Sequence, residues 1–224
     1  MQTVKPFRLD ATTPFIWLLV IAAGLTDATL YLHSKDLLAV YVTGDTSKLG
    51  QALQQGDLQK ALPLLGVIVA FLFGTTAGAW LGRRAGSWRS PLLLVLVALL
   101  LAIAWLATAP QYPPLMVLVI AIAMGLLNQV RGSEPGVTFI TGTLVRLGRA
   151  LARGSWRSAG GLGLRWLAWL LAALAGAWLD SRLAAWAIAI IALYCLLLAA
   201  VVAANHLVIR ERLQKRAAQH DAHS

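Results

Sequence analysis

The chain has 224 residues, 59% of them hydrophobic and 12% charged, with a mean hydropathy of +0.73 and a formal charge of +10. Soluble domains carry about 25% charged residues, so this chain has half the charge that a water-facing surface of its size needs. That excludes a soluble enzyme, a disordered tail and a nucleic-acid-binding domain, and the surplus of arginine and lysine reads as cytoplasmic loop charge instead.

Six mostly apolar segments of about 20 residues, the length that crosses a ~30 Å hydrocarbon layer, are predicted as transmembrane helices. They are 14–33, 61–82, 91–109, 113–131, 161–180 and 184–207, followed by a polar tail over 208–224. Lys5 and Arg8 precede the first segment as they would in a signal peptide, but the features of that segment recur in the fourth, so it is read as retained. Only Asp27, Arg131, Arg165 and Asp180 are charged within these spans, the last three near ends. Basic clusters follow the second span (Arg83, Arg84, Arg89), the fourth (Arg131, Arg146, Arg149, Arg153, Arg157) and the sixth (Arg210, Arg212, Lys215, Arg216). In the alternate loops Lys35, Lys48 and Lys60 are balanced by Asp36, Asp45 and Asp57, the 110–112 turn is uncharged, and Asp180 offsets Arg182. The positive-inside rule then places both termini in the cytoplasm. The lone cysteine, Cys195, lies in an apolar run and reads as a small buried hydrophobe.

An internal repeat runs through the chain. Val42-Thr43-Gly44-Asp45-Thr46 with Lys48-Leu49-Gly50 matches Ile140-Thr141-Gly142-Thr143-Leu144 with Arg146-Leu147-Gly148, at a separation of 98 residues. At the same separation Ala77-Gly78-Ala79-Trp80-Leu81 matches Ala175-Gly176-Ala177-Trp178-Leu179, and at a separation of 101 residues Gly24-Leu25-Thr26-Asp27 sits over Gly125-Leu126-Leu127-Asn128. Each unit (14–109 and 113–207) holds three spans, an odd number, so the second copy enters the membrane inverted, as in many secondary transporters. The expected fold is an all-α membrane domain of six helices in two inverted three-helix repeats.

Each Thr-Gly motif is expected to open a short helix, either re-entrant or interfacial, with Thr43 or Asp45, and Thr141 or Thr143, as N-caps. Lys48 and Arg146 then fall near the first turn, where the macrodipole disfavours a cation. Two readings stay open: the motifs hold an anionic group such as a carboxylate or phosphate, or the cations snorkel to lipid headgroups. Asp27 lies four residues past the middle of its span, where a carboxylate costs ~2.5–3.5 kcal/mol; it marks an ion or proton path or a buried hydrogen bond. Its counterpart Asn128 is uncharged, which argues against a two-carboxylate site. Gly74, Gly78 and Gly82, and Ala168, Ala172 and Gly176, recur every four residues and are expected to be helix-packing faces.

These motifs resemble the YoaK-like family of small bacterial membrane proteins, a family of unknown function. The likeness lies in Gly24-Leu25-Thr26-Asp27-Ala28, Tyr41-Val42-Thr43-Gly44-Asp45-Thr46, Met124-Gly125-Leu126-Leu127-Asn128 and Phe139-Ile140-Thr141-Gly142-Thr143-Leu144. It covers nearly the whole chain and implies about six helices in a bacterial inner membrane. In the family, asparagine usually follows the first Thr-Gly; here Asp45 stands there and offers Lys48 an ion partner.

No HExxH, paired-cysteine or GxSxG pattern is present, so no enzyme, metal or cofactor is expected. The first functional expectation is a small permease for a small, anionic solute. Its candidate residues are Asp27 for coupling, Thr43, Gly44, Asp45, Asn128, Thr141 and Gly142 for ligation, and Lys48 and Arg146 for charge. The alternative is a non-transporting scaffold or accessory subunit, whose glycine-rich face would meet a partner helix as well as its own bundle; the other expected partners are the lipid bilayer and, in either reading, a homo-oligomer.

Overall fold

The computed structural model describes residues 13–34, 37, 39–107, 113–132, 136–184 and 186–221. Among these are eight α-helices: α1 (Thr13–His33), α2 (Val42–Gln54), α3 (Leu58–Ala85), α4 (Arg89–Leu106), α5 (Pro114–Leu127), α6 (Ile140–Ala152), α7 (Trp156–Leu183) and α8 (Trp186–Asp221). Four segments are long and apolar enough to cross a bilayer: Pro14–His33, Leu58–Leu106, Trp156–Leu183 and Trp186–Glu211. The second of these is α3 and α4 together, broken at Gly86, whose φ of 55° suits a residue without Cβ.

Three boundaries differ from the sequence expectation. The 113–131 segment is helical only to Leu127, and 14 residues rise about 21 Å, short of a full crossing. Its end is taken over by α4: Arg89 Nε donates to the Gln129 carbonyl at 2.7 Å and Ser90 Oγ to that of Val130 at 3.0 Å. Helix α7 starts at Trp156, five residues before the expected 161, straight after a turn at Gly154 (φ 66°). Helix α8 runs on to Asp221 through most of the expected polar tail, because alanine, leucine, lysine, arginine and glutamine there are strong helix formers. The expected end of the third span at 108–109 and the 110–112 turn lie outside the described residues.

Apolar side chains face both inward and outward. Leu62, Leu65, Val69, Leu72 and Phe73 on α3, and Leu164, Leu167, Leu170, Leu171 and Leu174 on α7, are exposed, while Leu19, Leu93, Leu94, Ile120, Met124 and Ile188 are fully buried. Such exposed apolar faces belong to a surface solvated by lipid.

The main packings are α3 on α5, α1 on α7 and α4 on α8, while α2 and α6 lie on α3 and α7 respectively. Two of these crossings bring backbone onto backbone. A Cβ on Gly74 would stand 2.2 Å from the Ile122 carbonyl oxygen, and one on Gly176 would stand 2.7 Å from that of Leu25. The crossings also match residue for residue. A Cβ on Gly125 would meet the Phe71 oxygen (2.4 Å) and Thr75 nitrogen (2.7 Å); one on Gly24 would meet the Trp169 oxygen (3.0 Å) and Ala173 nitrogen (3.5 Å). Phe71 and Trp169, and Thr75 and Ala173, are each separated by the 98 residues of the sequence repeat.

The small-residue faces are used in these contacts. Gly74 and Gly78 face α5, Ala172 and Gly176 face α1, and Ala168 is half-buried. Gly82 faces Arg89, whose Nε would lie 2.8 Å from an added Cβ. Overpacking a site whose neighbour is backbone costs ~1–3 kcal/mol, so Gly74→Ala is expected to lower the detergent-solubilised Tm by several degrees. Gly148→Ala, with nothing within 4 Å of its Cβ, is expected to leave it unchanged, as fluorescence-detected thermal unfolding will report.

Candidate functional site

Asp27 sits six residues before the end of α1, about 9 Å below it at 1.5 Å per residue. The hydroxyls around it are satisfied inside the helix: Thr26 Oγ1 donates to the Ala22 carbonyl (2.8 Å) and Thr29 Oγ1 to that of Leu25 (3.0 Å). The carboxylate of Asp27 has no such outlet; its Oδ1 is enclosed and has no hydrogen-bond partner among the described residues. After Ser34, whose hydroxyl donates to the Leu37 carbonyl, the chain turns inward. Ala39 and Val40 join the core, and α2 begins at Val42 with Asp45 fully buried and within electrostatic reach of Asp27. Asp45 thus stands in the first turn of α2, and α2 packs along α3.

That geometry corrects the expected caps. Tyr41 occupies the N-cap of α2 and Phe139 that of α6, neither with a side-chain bond. The Tyr41 carbonyl accepts from the N–H of Gly44 (2.9 Å) and of Asp45 (3.2 Å). Gly44 is needed because the Tyr41 ring lies over it, Cδ1 only 2.3 Å from where a Cβ would be. Thr43, Thr141 and Gly142 are exposed in the first turns and do not cap. Because the helices start at Val42 and Ile140, Lys48 and Arg146 fall in the second turn, past the reach of the dipole, and the expected conflict at the first turn does not arise. The charge in the first turn of α2 is Asp45 itself, which the helix N-terminus favours.

The second copy has different chemistry at the same places. Asn128 Nδ2 donates to the Met124 carbonyl (3.1 Å) and to Thr138 Oγ1 (3.0 Å), while its Oδ1 accepts from the Thr138 N–H (3.1 Å). Gly136 (φ 86°) lies against it, an added Cβ being 2.9 Å from Asn128 Oδ1. Asn128 thus pins the loop that leads into α6. Opposite Asp45 in the repeat stands Thr143, also buried, whose hydroxyl donates to the Phe139 carbonyl at 3.1 Å.

Two charged groups have a place that the sequence does not signal. With α7 beginning at Trp156, Arg165 lies nine residues inside it, 7% exposed, with Nη2 donating to the Gly136 carbonyl at 3.4 Å. His33 Nε2 meets both carboxylate oxygens of Asp180 at 2.8 and 2.9 Å, tying the end of α1 to the end of α7. The approach of Asp45 to Asp27 is equally hidden, because the repeat pairs Asp27 only with its fourth-span counterpart Asn128. Nothing in sequence spacing marks these pairs; they follow from the α1–α7 crossing and the inward loop.

Two cavities adjoin the motif helices. One of about 520 Å³ lies among α2, α3 and the start of α5 and is lined by Lys48, Lys60, Gln51, Gln55 and Gln59 among others. Lys60 pairs there with Asp57 at 3.1 Å, and this bonding holds the Asp57 carboxyl below the usual range. The other, about 160 Å³, lies between α6 and α7.

Residues 15–201 match the family model described as "Protein of unknown function (DUF1275)". Among curated proteins, a UPF0700 transmembrane protein of Rhizobium meliloti (strain 1021) is 33% identical over 156 residues, covering 68% of this chain and 67% of the relative. No solved structure matches the chain significantly. With the four long apolar segments, these matches identify a multi-pass membrane protein. Removing the Asn128 amide leaves the buried side of Thr138 unpaired at ~1–3 kcal/mol. Asn128→Leu is therefore expected to lower Tm and to raise amide exchange selectively over 136–143, as mass spectrometry will read.

Proposed function

The chain belongs to the DUF1275 family, and from that premise we propose that it is a small secondary transporter of the bacterial inner membrane. In this reading α1, α3 and α4 form one three-span repeat and α5, α7 and α8 the other, inverted, with both termini cytoplasmic. Support comes from the equivalence of the α1–α7 and α5–α3 crossings and from the alternation of basic loops along the chain. The short α5 then completes its crossing with the non-helical 128–132 stretch, whose backbone α4 meets at the Gln129 and Val130 carbonyls.

The observation that carries the proposal is Asp27. An enclosed carboxylate oxygen without a hydrogen bond, beside a second carboxylate in the first turn of α2, is expensive in a low-dielectric interior. A structural role would have met that oxygen with a donor, as Asn128 is met by Thr138 in the other repeat. Uptake of a proton or small cation between the two carboxylates removes the like-charge repulsion, and movement of α2 against α1 couples that uptake to opening. Asp27 and Asp45 are the coupling pair; the solute is small, and the cationic surfaces near Lys48 and Arg146 favour an anion. The scaffold alternative has less motive, since Gly74 and Gly78, expected to face a partner helix, meet α5 and its end, and Gly82 meets Arg89 of the same chain.

Proteoliposomes containing the purified protein, challenged with inward proton or sodium gradients and a panel of labelled small carboxylates and phosphate, test this directly. Gradient-driven uptake is expected for wild type, cut at least tenfold in Asp27→Asn while the variant stays monodisperse. Absence of uptake for folded wild type, or wild-type flux through Asp27→Asn, would reject the coupling role.

A further inference from the structure

Between Phe139 and Arg157 the chain carries four arginines, Arg146, Arg149, Arg153 and Arg157, and no carboxylate. All four are exposed, and none of them forms an ion pair among the described residues. We propose that this segment, α6 with the turn into α7, is a binding surface for anionic phospholipid headgroups in the leaflet where α7 begins.

Helix geometry sorts α6 into three faces. Leu147 and Ala150 form the face that packs on Ala159 and Leu162 of α7. At about 100° per residue, Arg146, Arg149 and Arg153 fall within about 60° of one another on one flank of that face. Leu144 and Leu151 fall together on the other flank and are exposed. Beyond the turn at Gly154, Trp156 is exposed as well. Arginines on one flank, leucines on the other and a tryptophan at the end are the pattern of a helix seated at the boundary between headgroups and acyl chains.

The position of α7 puts the segment at that boundary. Its 28 residues rise about 42 Å against a hydrocarbon layer of ~30 Å, so about one turn at each end stands among headgroups. Ala159 and Leu162 lie in the first two turns of α7, and the α6 residues packed on them are held near the same level. In the basic stretch after α3, by contrast, Arg84 lies over the Trp80 ring at 4.1 Å and Arg89 donates to the Gln129 carbonyl. The repeat counterpart of α6 differs too: α2 carries one cation, Lys48, and one carboxylate, the buried Asp45. The cationic flank therefore belongs to α6 alone. Each guanidinium presents a planar fork of N–H donors that matches the paired oxygens of a phosphodiester, and each basic residue at an anionic membrane surface strengthens binding about fivefold. The inference is independent of transport, since it needs only the membrane face at which α7 begins.

Native mass spectrometry of the full-length protein in neutral detergent tests it, by counting phosphatidylglycerol and phosphatidylethanolamine of matched acyl chains bound from equimolar mixed micelles. Wild type is expected to favour phosphatidylglycerol by about fivefold or more. Arg149→Gln/Arg153→Gln is expected to abolish most of that preference, while Arg149→Lys/Arg153→Lys, which keeps the charge, retains most of it. Arg83→Gln/Arg84→Gln removes the same charge from the end of α3 and is expected to keep the wild-type ratio. Should the α6 double variant fail to fold, the single Arg153→Gln, at the C-cap of α6, still decides through a smaller fall. No preference in wild type, an unchanged ratio in the α6 variants, or an equal fall in Arg83→Gln/Arg84→Gln would overturn the inference.

Discussion

At the α3–α5 and α1–α7 crossings the carbonyl oxygens of Ile122 and Leu25 occupy the space that the Cβ atoms of Gly74 and Gly176 would fill. Lipid tails are as apolar as leucine, so burying leucine gives helices in a bilayer no reason to associate; close van der Waals contact between backbones does. Everything else in the bundle hangs from those two contacts. They make α1 run beside α7 and α3 beside α5, which sets the His33–Asp180 pair at one end. They also set the Arg89–Gln129 bond at the end of α5. They leave α4 and α8 to fill the remaining side with larger residues such as Leu93, Leu94 and Ile188.

The two short helices each pack on one long helix, α2 on α3 and α6 on α7. The segments ahead of them carry Ala39, Val40 and Val137 into the core. The two segments that lead into α2 and α6 differ in side-chain chemistry. The one before α2 brings together Asp27 and Asp45; the one before α6 brings together Asn128, Thr143 and Arg165. One copy carries the carboxylates of Asp27 on α1 and of Asp45 in the first turn of α2. The other has a hydrogen-bonded amide in place of the equivalent carboxylate and a cation beside it. Such divergence of charge on a duplicated scaffold is possible because the shared packing lets side chains at the tips change without disturbing the crossings.

Much of the architecture is legible in the sequence. Apolar runs locate the long helices, since the cost of exposing polar backbone to lipid forces continuous apolar stretches. The glycine and alanine spacing at 74, 78 and 82 and at 168, 172 and 176 names the packing faces, since only small residues permit backbone approach. Other parts depart from the expectation for physical reasons. Hydropathy carries the fourth segment past Leu127, but Arg89 and Asn128 capture the chain there and end the helix. Threonine is the better cap by propensity, yet the helices begin one residue before Thr43 and Thr141, so Tyr41 and Phe139, both exposed, stand at the N-caps without a side-chain bond.

The candidate site divides along the same line. Asp27 stands out in the sequence because a carboxylate within an apolar run has a cost that can be reckoned without knowing its neighbours. Its neighbour cannot be read in the same way: Asp45 sits in a polar segment that looks harmless until the chain before α2 folds inward and carries it beside α1. Arg165 reads as a residue near the end of its span, and only the fold shows it buried against the Gly136 carbonyl. The sequence by itself determined the membrane class, the duplication and the packing faces, because solvation and excluded volume act on each residue locally. Which charges meet was decided only by the tertiary structure, because it depends on where two inward loops end between helices held together by contacts remote in the chain.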